Sequence, residues 1–104
     1  MPEFTNPFPG MVPGKKMNRE QLLRALRLDL AAEEDATHLY TAHAEATDDP
    51  LARKVLRSIA DEEIVHVGEF QALLKRLSPR EEYLLSQGED EVAQAARTLA
   101  GLMK

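Results

Sequence analysis

A carboxylate and an imidazole stand three residues apart at Glu63 and His66, a spacing that places both side chains on one face of a helix. The apolar residues around them recur in alternating three- and four-residue steps, typical of a helical stripe meant for burial: Ala52, Leu56, Ile59, Phe70, Leu73 and Leu77. Glu33 interrupts an earlier stripe, between Leu30 and Thr37, in the same way. Burying an unpaired carboxylate is costly, and a bound metal ion would offset that cost.

The two interrupted stripes would meet if the chain folded back between them. Glu33 precedes the break at Asp48-Asp49-Pro50 by about as many residues as Glu63 follows it, so an antiparallel hairpin would bring both to one height. A helix that offers Glu and a second that offers Glu-x-x-His supply half of the di-iron carboxylate site of ferritin-like four-helix bundles. The chain therefore predicts half a metal site, which a second copy would complete.

Iron is the metal favoured by these ligands, because hard carboxylates with few imidazoles suit ferrous and ferric ions, and manganese is chemically close. A dimer would hold two metal ions among carboxylates that can follow the change from ferrous to ferric iron. That is the chemistry of a ferroxidase. Tyr40 lies two turns after Glu33 on the same face, where its hydroxyl could donate to the ligands or its ring could pack in the core. Further carboxylates flank the ligands and could pass on ferrous ions or simply face solvent: Glu34, Asp35 and Glu62.

Length and composition exclude several classes of protein. The 104 residues have room for one domain but not for four long helices. The net charge of -5 and the absence of a basic cluster argue against nucleic-acid and anionic-membrane partners. Without cysteine there are no thiolate metal sites or disulfides. No segment resembles a signal peptide or a membrane span, so we expect a cytoplasmic protein, or one enclosed by something cytoplasmic.

Start signals along the chain predict an all-α fold. Asn18 with Gln21 forms a capping box for a first helix that runs to about Ala46. Asp49-Pro50 then begins a second helix that ends near Leu77. So short a connection between two long helices forces an antiparallel hairpin, half of a ferritin-like bundle that dimerisation would complete.

Two segments flank the predicted hairpin, which we assign to residues 18–87. Residues 1–17 form a Pro/Gly-rich extension that is either mobile or a docking peptide. Ser78 and Glu81 cap a short third helix that should stop near Gly88. A final amphipathic helix is predicted over 88–104, with small side chains on one stripe that suit another subunit.

Three segments together resemble the encapsulated ferritins, two-helix ferritin-like proteins that are cargo of encapsulin nanocompartments: Ala32 to Tyr40, Asp48-Asp49-Pro50, and Asp61 to Phe70. The resemblance covers about residues 18–85 and implies iron ligation by Glu33, Glu63 and His66 at a subunit interface, with Tyr40 beside them. It also implies that pairs assemble into a decameric ring which oxidises ferrous iron inside an encapsulin shell in the cytoplasm. Family members commonly carry their shell-targeting peptide at the C-terminus, whereas the unusual appendage here is residues 1–17.

Two other functions remain open. A rubrerythrin-like di-iron protein would reduce peroxide, although the lack of a cysteine-ligated rubredoxin domain counts against it. A non-enzymatic helical adaptor would use the charged residues within its apolar stripes to specify the register of a dimer. An adaptor would bind no metal and would dimerise equally well in the presence of a chelator.

Overall fold

The computed structural model describes residues 14–103, which form three helices: α1 (Arg19–Ala46), α2 (Pro50–Leu77) and α3 (Pro79–Leu102). No strand occurs among these residues, so the predicted all-α fold is confirmed. None of their helices is long and apolar enough to cross a membrane. The extension over residues 1–17 lies outside the described residues except for 14–17.

Side-chain caps set the start of both hairpin helices. The Asn18 Oδ1 accepts a hydrogen bond from the Gln21 backbone N–H at 2.9 Å, and the Gln21 Oε1 accepts one from the Asn18 N–H at 3.0 Å. The Asp49 Oδ1 accepts from the Ala52 N–H at 2.9 Å, with proline following in the first turn. These bonds satisfy backbone donors that have no partner inside a helix. The antiparallel hairpin therefore begins and turns where local sequence signals place it.

The core between α1 and α2 is thin because only two helices enclose it. Buried leucines from both helices form its centre, with partly buried apolar neighbours around them: Leu23, Leu26 and Leu74, then Leu22, Leu30, Phe70 and Leu77. Leu73, which the sequence places on the buried stripe, is instead 43% exposed, while its neighbour Leu74 is buried. The apolar stripe of α2 is wider than one partner helix covers. Part of it remains open at the surface of the hairpin.

α3 is a single continuous helix, so the predicted stop near Gly88 is wrong. Glycine ends a helix by adopting a left-handed backbone, and among the described residues the positive φ belongs to Gly14. Gly88 instead keeps helical geometry because good helix formers follow it, and its penalty of about 1 kcal/mol does not interrupt them. The predicted amphipathic segment over 88–104 falls in the second half of α3, which ends at Leu102, while Lys104 lies outside the described residues. None of the residues of α3 is buried.

An ion pair connects α3 to the hairpin. The Arg27 guanidinium of α1 donates to both carboxylate oxygens of Glu81, through Nε to Oε1 at 3.4 Å and through Nη2 to Oε2. Hydrogen bonding to this carboxylate raises the pKa of Arg27 above its ordinary value. The two-point contact ties the first turn of α3 to α1, and Ser78 alone connects α3 to the end of α2.

Replacing Glu81 by glutamine is expected to lower the free energy of unfolding by no more than about 1 kcal/mol, because half of the Arg27 side chain remains in solvent. The loss should shrink at high salt, which screens the pair in the parent protein. Urea unfolding at low and high salt measures both effects. Glu82→Gln, a change of the same charge at the next residue, is the control, and an equal loss in both variants would contradict the assignment.

Candidate metal centre

The hairpin brings Glu33 of α1 together with Glu63 and His66 of α2. One potential ligand atom from each residue lies within 4.8 Å of the other two. The His66 Nδ1 is 3.5 Å from the Glu33 Oε2 and 3.4 Å from the Glu63 Oε2. The two carboxylates thus reach the same height on neighbouring helices, as the hairpin register predicts. Their role as metal ligands stays a prediction.

Local contacts leave these carboxylates free to bind a cation. In residues 14–103 the hydrogen-bond or ion-pair partner recorded for either carboxylate is His66 alone. Thr37 lies one turn after Glu33 on the same stripe, but its hydroxyl donates to the Glu33 backbone carbonyl at 2.9 Å. The threonine therefore satisfies its donor within the helix and does not occupy the carboxylate.

The three side chains are neither core residues nor fully exposed. Glu33, Glu63 and His66 are 25%, 18% and 45% exposed. Carboxylate oxygens with an imidazole nitrogen are a fitting set for iron, whereas structural zinc prefers thiolates or several imidazoles. A complete ferritin-like di-iron site takes a Glu from each of two helices and a Glu-x-x-His from each of two others. This chain supplies one of each, which is half of that set.

An open groove of about 550 Å³ adjoins the three residues and leaves one side of the centre uncovered: Glu33, His66, Glu69, Phe70 and Leu73 line it. Two of its lining residues are large and apolar, and Leu73 is 43% exposed. Apolar side chains beside a partly exposed cluster of polar residues form a surface suited to another protein element. The groove therefore leaves the three residues accessible from one side.

The remaining residues singled out from the sequence lie around the cluster. Tyr40 is half-buried on α1, and no contact between its hydroxyl and the three ligands is recorded in the described chain, so its role stays a prediction. Glu34 and Glu62 are exposed and outside the cluster, and their role in iron transit also stays a prediction. Sequence reasoning missed Glu69 in the groove. The three-residue step from Glu63 to His66, continued once more, would have found it.

Comparison with known proteins identifies relatives of this chain. A family model described as rubrerythrin matches residues 24–100. Over 81 residues, 78% of this chain and 61% of the relative, the sequence is 44% identical to the "Encapsulin nanocompartment cargo protein EncC" of Myxococcus xanthus. It is also 44% identical to the "Ferritin-like-encapsulin shell fusion protein" of Pyrococcus furiosus. That match extends over 78 residues, which are 75% of this chain and 23% of the relative. The chain thus spans less than two thirds of either relative.

A solved structure extends the likeness to the fold. The crystal structure of the encapsulated ferritin domain from Pyrococcus furiosus matches with a TM-score of 0.76 and 40% identity, over 83% of this chain and 89% of that one. The resemblance read from the sequence is confirmed. The chain belongs to the rubrerythrin family of ferritin-like proteins, with the fold of an encapsulated ferritin domain.

Proposed function

We propose that this protein is a ferroxidase, which oxidises Fe(II) to Fe(III) at a di-iron centre shared between two copies, for iron storage and detoxification. The rubrerythrin family match supports di-iron oxidoreductase chemistry as the class. The observation that carries the finer proposal is the convergence of Glu33, Glu63 and His66 within 4.8 Å beside an open apolar groove.

Each of the three side chains has a distinct part in binding the ferrous substrate. Glu33 and Glu63 would bind through carboxylate oxygens, and His66 through Nδ1, the ring atom that faces both of them. When bound, a pair of ferrous ions supplies one electron each to dioxygen or peroxide. The carboxylates offset the positive charge of the iron, which increases on oxidation. The imidazole is a neutral ligand in the place of a further carboxylate, so it limits the number of carboxylates at the centre.

Two copies are needed because one chain holds three ligands of the six in a ferritin-like site. Pairing across the groove would bring a second Glu33, Glu63 and His66 to the first. The same step would cover Phe70 and Leu73, whose exposure otherwise costs about 25 cal/mol per Å² of apolar surface. We further propose that such pairs assemble into a ring, decameric as the family resemblance implies.

We also propose that the protein works as cargo inside an encapsulin nanocompartment in the cytoplasm. Two relatives support this: one is named as cargo of such a compartment, and the other as a ferritin-like domain fused to an encapsulin shell. Residues 1–17 are our candidate for a segment that docks the protein to a shell, which a shell-binding assay on the chain lacking them would test.

Titration with Fe(II) under anaerobic conditions tests the shared centre. We expect one ferrous ion bound per chain, since two copies share two ions, followed by rapid appearance of Fe(III) when air is admitted. Free ferrous iron is measured with a colorimetric chelator and Fe(III) by absorbance. A chain that bound no metal, and that dimerised equally well in chelator, would be the helical adaptor instead.

A peroxide-reducing di-iron protein is the second candidate, and the rubrerythrin family match favours it. Both functions use the same ligands, so the difference lies in the oxidant and the source of electrons. A rubrerythrin-like protein would consume hydrogen peroxide repeatedly when given an electron donor. A ferroxidase would stop once its supply of ferrous iron is exhausted, because its ferric product leaves the centre and is not reduced there.

A further inference from the structure

One end of the hairpin is basic, and the rest of it is acidic. Residues 15–27 and 75–80 together contain eight Lys or Arg residues and one acidic residue, Glu20, whereas residues 28–74 contain eleven acidic residues and three basic ones. The hairpin joins the two basic segments, since Leu23 and Leu26 of α1 pack with Leu74 of α2. No single stretch of sequence holds this cluster of cations, which forms only when the chain folds back.

Most cations of the cluster are exposed and have no ion pair recorded within residues 14–103. We call these side chains the basic end: Lys15, Lys16, Arg19, Arg24, Arg76 and Arg80. Arg27 does not belong to them, because Glu81 neutralises it. The other carboxylates nearby, Glu20, Asp29 and Glu82, are exposed and form no recorded pair in the described chain. Cations that no carboxylate of their own chain neutralises remain available to an anionic partner.

Helix stability does not explain two positions of the basic end. Arg19 is the first residue of α1, and Arg80 is the second residue of α3. The first turn of a helix carries a partial positive charge, so carboxylates are favoured there and cations are not. Arg76, in the last turn of α2, is favoured by the same rule. Arg19 and Arg80 therefore indicate a use for positive charge outside the single chain.

We propose that the basic end binds an acidic surface of an encapsulin shell protein, as a second contact beside the docking segment. This inference rests on the proposed function as shell cargo. Residues 1–17 lead into α1 at Arg19, so a shell that binds this segment meets the basic end before the rest of the hairpin. Two contacts with one partner that are joined by a short stretch of chain strengthen each other, because the second forms at high effective concentration.

The charge pattern also sets how the protein would be oriented on the shell. An acidic surface attracts the basic end and repels residues 28–74, which carry the excess of carboxylates. His66 lies eleven residues before Leu77, the last residue of α2, which is a rise of about 16 Å along the helix. The metal centre would therefore be held away from the shell wall and open to ferrous iron in the interior.

A nucleic acid fits this charge pattern less well than an acidic protein surface. A long polyanion that passed beyond the basic end would meet the carboxylates of residues 28–74, or those of Glu89, Asp90 and Glu91 on α3. A protein surface can instead contact one end of the hairpin and leave the rest in solvent. The confinement of the cations to one end thus favours the shell protein.

Two double variants with the same net charge test the proposal. Arg24→Gln with Arg76→Gln removes two exposed cations from the basic end, and Lys54→Gln with Arg57→Gln removes two exposed cations near the turn of the hairpin. The encapsulin shell of the same organism is dissociated and reassembled with each full-length chain, and the amount of chain held per shell is measured over a range of salt concentrations.

We expect the basic-end variant to need at least about ten times more chain than the parent for half-maximal loading at low salt. The difference should shrink at high salt, which screens the contact in the parent. The control variant should load as the parent does. Circular dichroism should show intact helices in both variants, because none of the four side chains belongs to the buried core.

Four results would overturn the proposal, and they differ in what else they contradict. Equal loading of the two variants would remove the basic end from docking and leave the cargo function standing. A parent chain that does not enter the shell would contradict the cargo function as well. Loading that nuclease treatment abolishes would assign the basic end to nucleic acid. A basic-end variant whose sedimentation without shell differs from that of the parent would assign it to a contact between copies.

Discussion

Replacing Glu63 by alanine is expected to slow Fe(II) oxidation at least about 100-fold. Loss of a residue that only hydrogen-bonds to a metal ligand typically costs about 10- to 100-fold, and loss of a ligand itself should cost more. Glu63 is the least exposed of the three proposed ligands, and its Oε2 lies 3.4 Å from the His66 Nδ1. Without it, each chain would offer one carboxylate and one imidazole, too few to hold iron against water. His66→Ala should have the same effect, since it removes the only nitrogen ligand of the cluster.

The measurement is the rate at which Fe(III) absorbance appears after mixing with air-saturated buffer. Circular dichroism should show that the helices of both variants are intact, because neither side chain belongs to the buried core. Asp61→Ala is the matched control: it removes an exposed carboxylate of α2 two residues from Glu63, outside the ligand cluster. Oxidation at the parent rate in Glu63→Ala and His66→Ala would show that the cluster is not the site.

The hairpin could be predicted from sequence because its determinants are local. A capping box or an Asp-Pro start satisfies backbone donors within a few residues, whatever the rest of the chain does. The short break before Pro50 then leaves the two helices one way to pack, which fixes the height at which Glu33 meets Glu63. Depth along the hairpin therefore follows from counting residues.

The length of α3 could not be predicted in the same way. Gly88 carries the same local signal whether it ends a helix or lies within one, and the outcome depends on the residues after it. The exposure of Leu73 also escaped prediction, because an apolar stripe does not reveal which part faces its own chain and which part faces another. The predicted stop at Gly88 and the predicted burial of Leu73 both concern surface residues, and the sequence of one chain does not show what packs against such residues.

The substitution Leu73→Glu is expected to separate the two copies that share a metal centre, and to abolish oxidation although all three ligands remain. Leu73 lies in the groove beside Glu33 and His66 and is 43% exposed in the single chain. Pairing across the groove would bury the new carboxylate without a partner, beside ligands that are already acidic. That cost should weaken dimerisation at least about 100-fold.

Val65→Glu is the matched control. Val65 is an apolar residue of α2 that is 62% exposed, adjacent to His66 in sequence but absent from the groove. The same new charge there should change neither assembly nor oxidation. Sedimentation velocity with Fe(II) and with chelator measures the size of each variant, and the oxidation assay is run on the same samples.

Assembly and iron binding must change together if the centre is shared. Iron that binds only the paired form strengthens pairing, and by linkage pairing strengthens iron binding by the same factor. Leu73→Glu should therefore lose affinity for Fe(II) in proportion to its loss of dimerisation, while Val65→Glu retains both. A Leu73→Glu chain that sediments as a monomer yet oxidises iron at the parent rate would mean that Glu33, Glu63 and His66 of one copy suffice. The groove would then have another occupant, and the centre would be complete within a single hairpin.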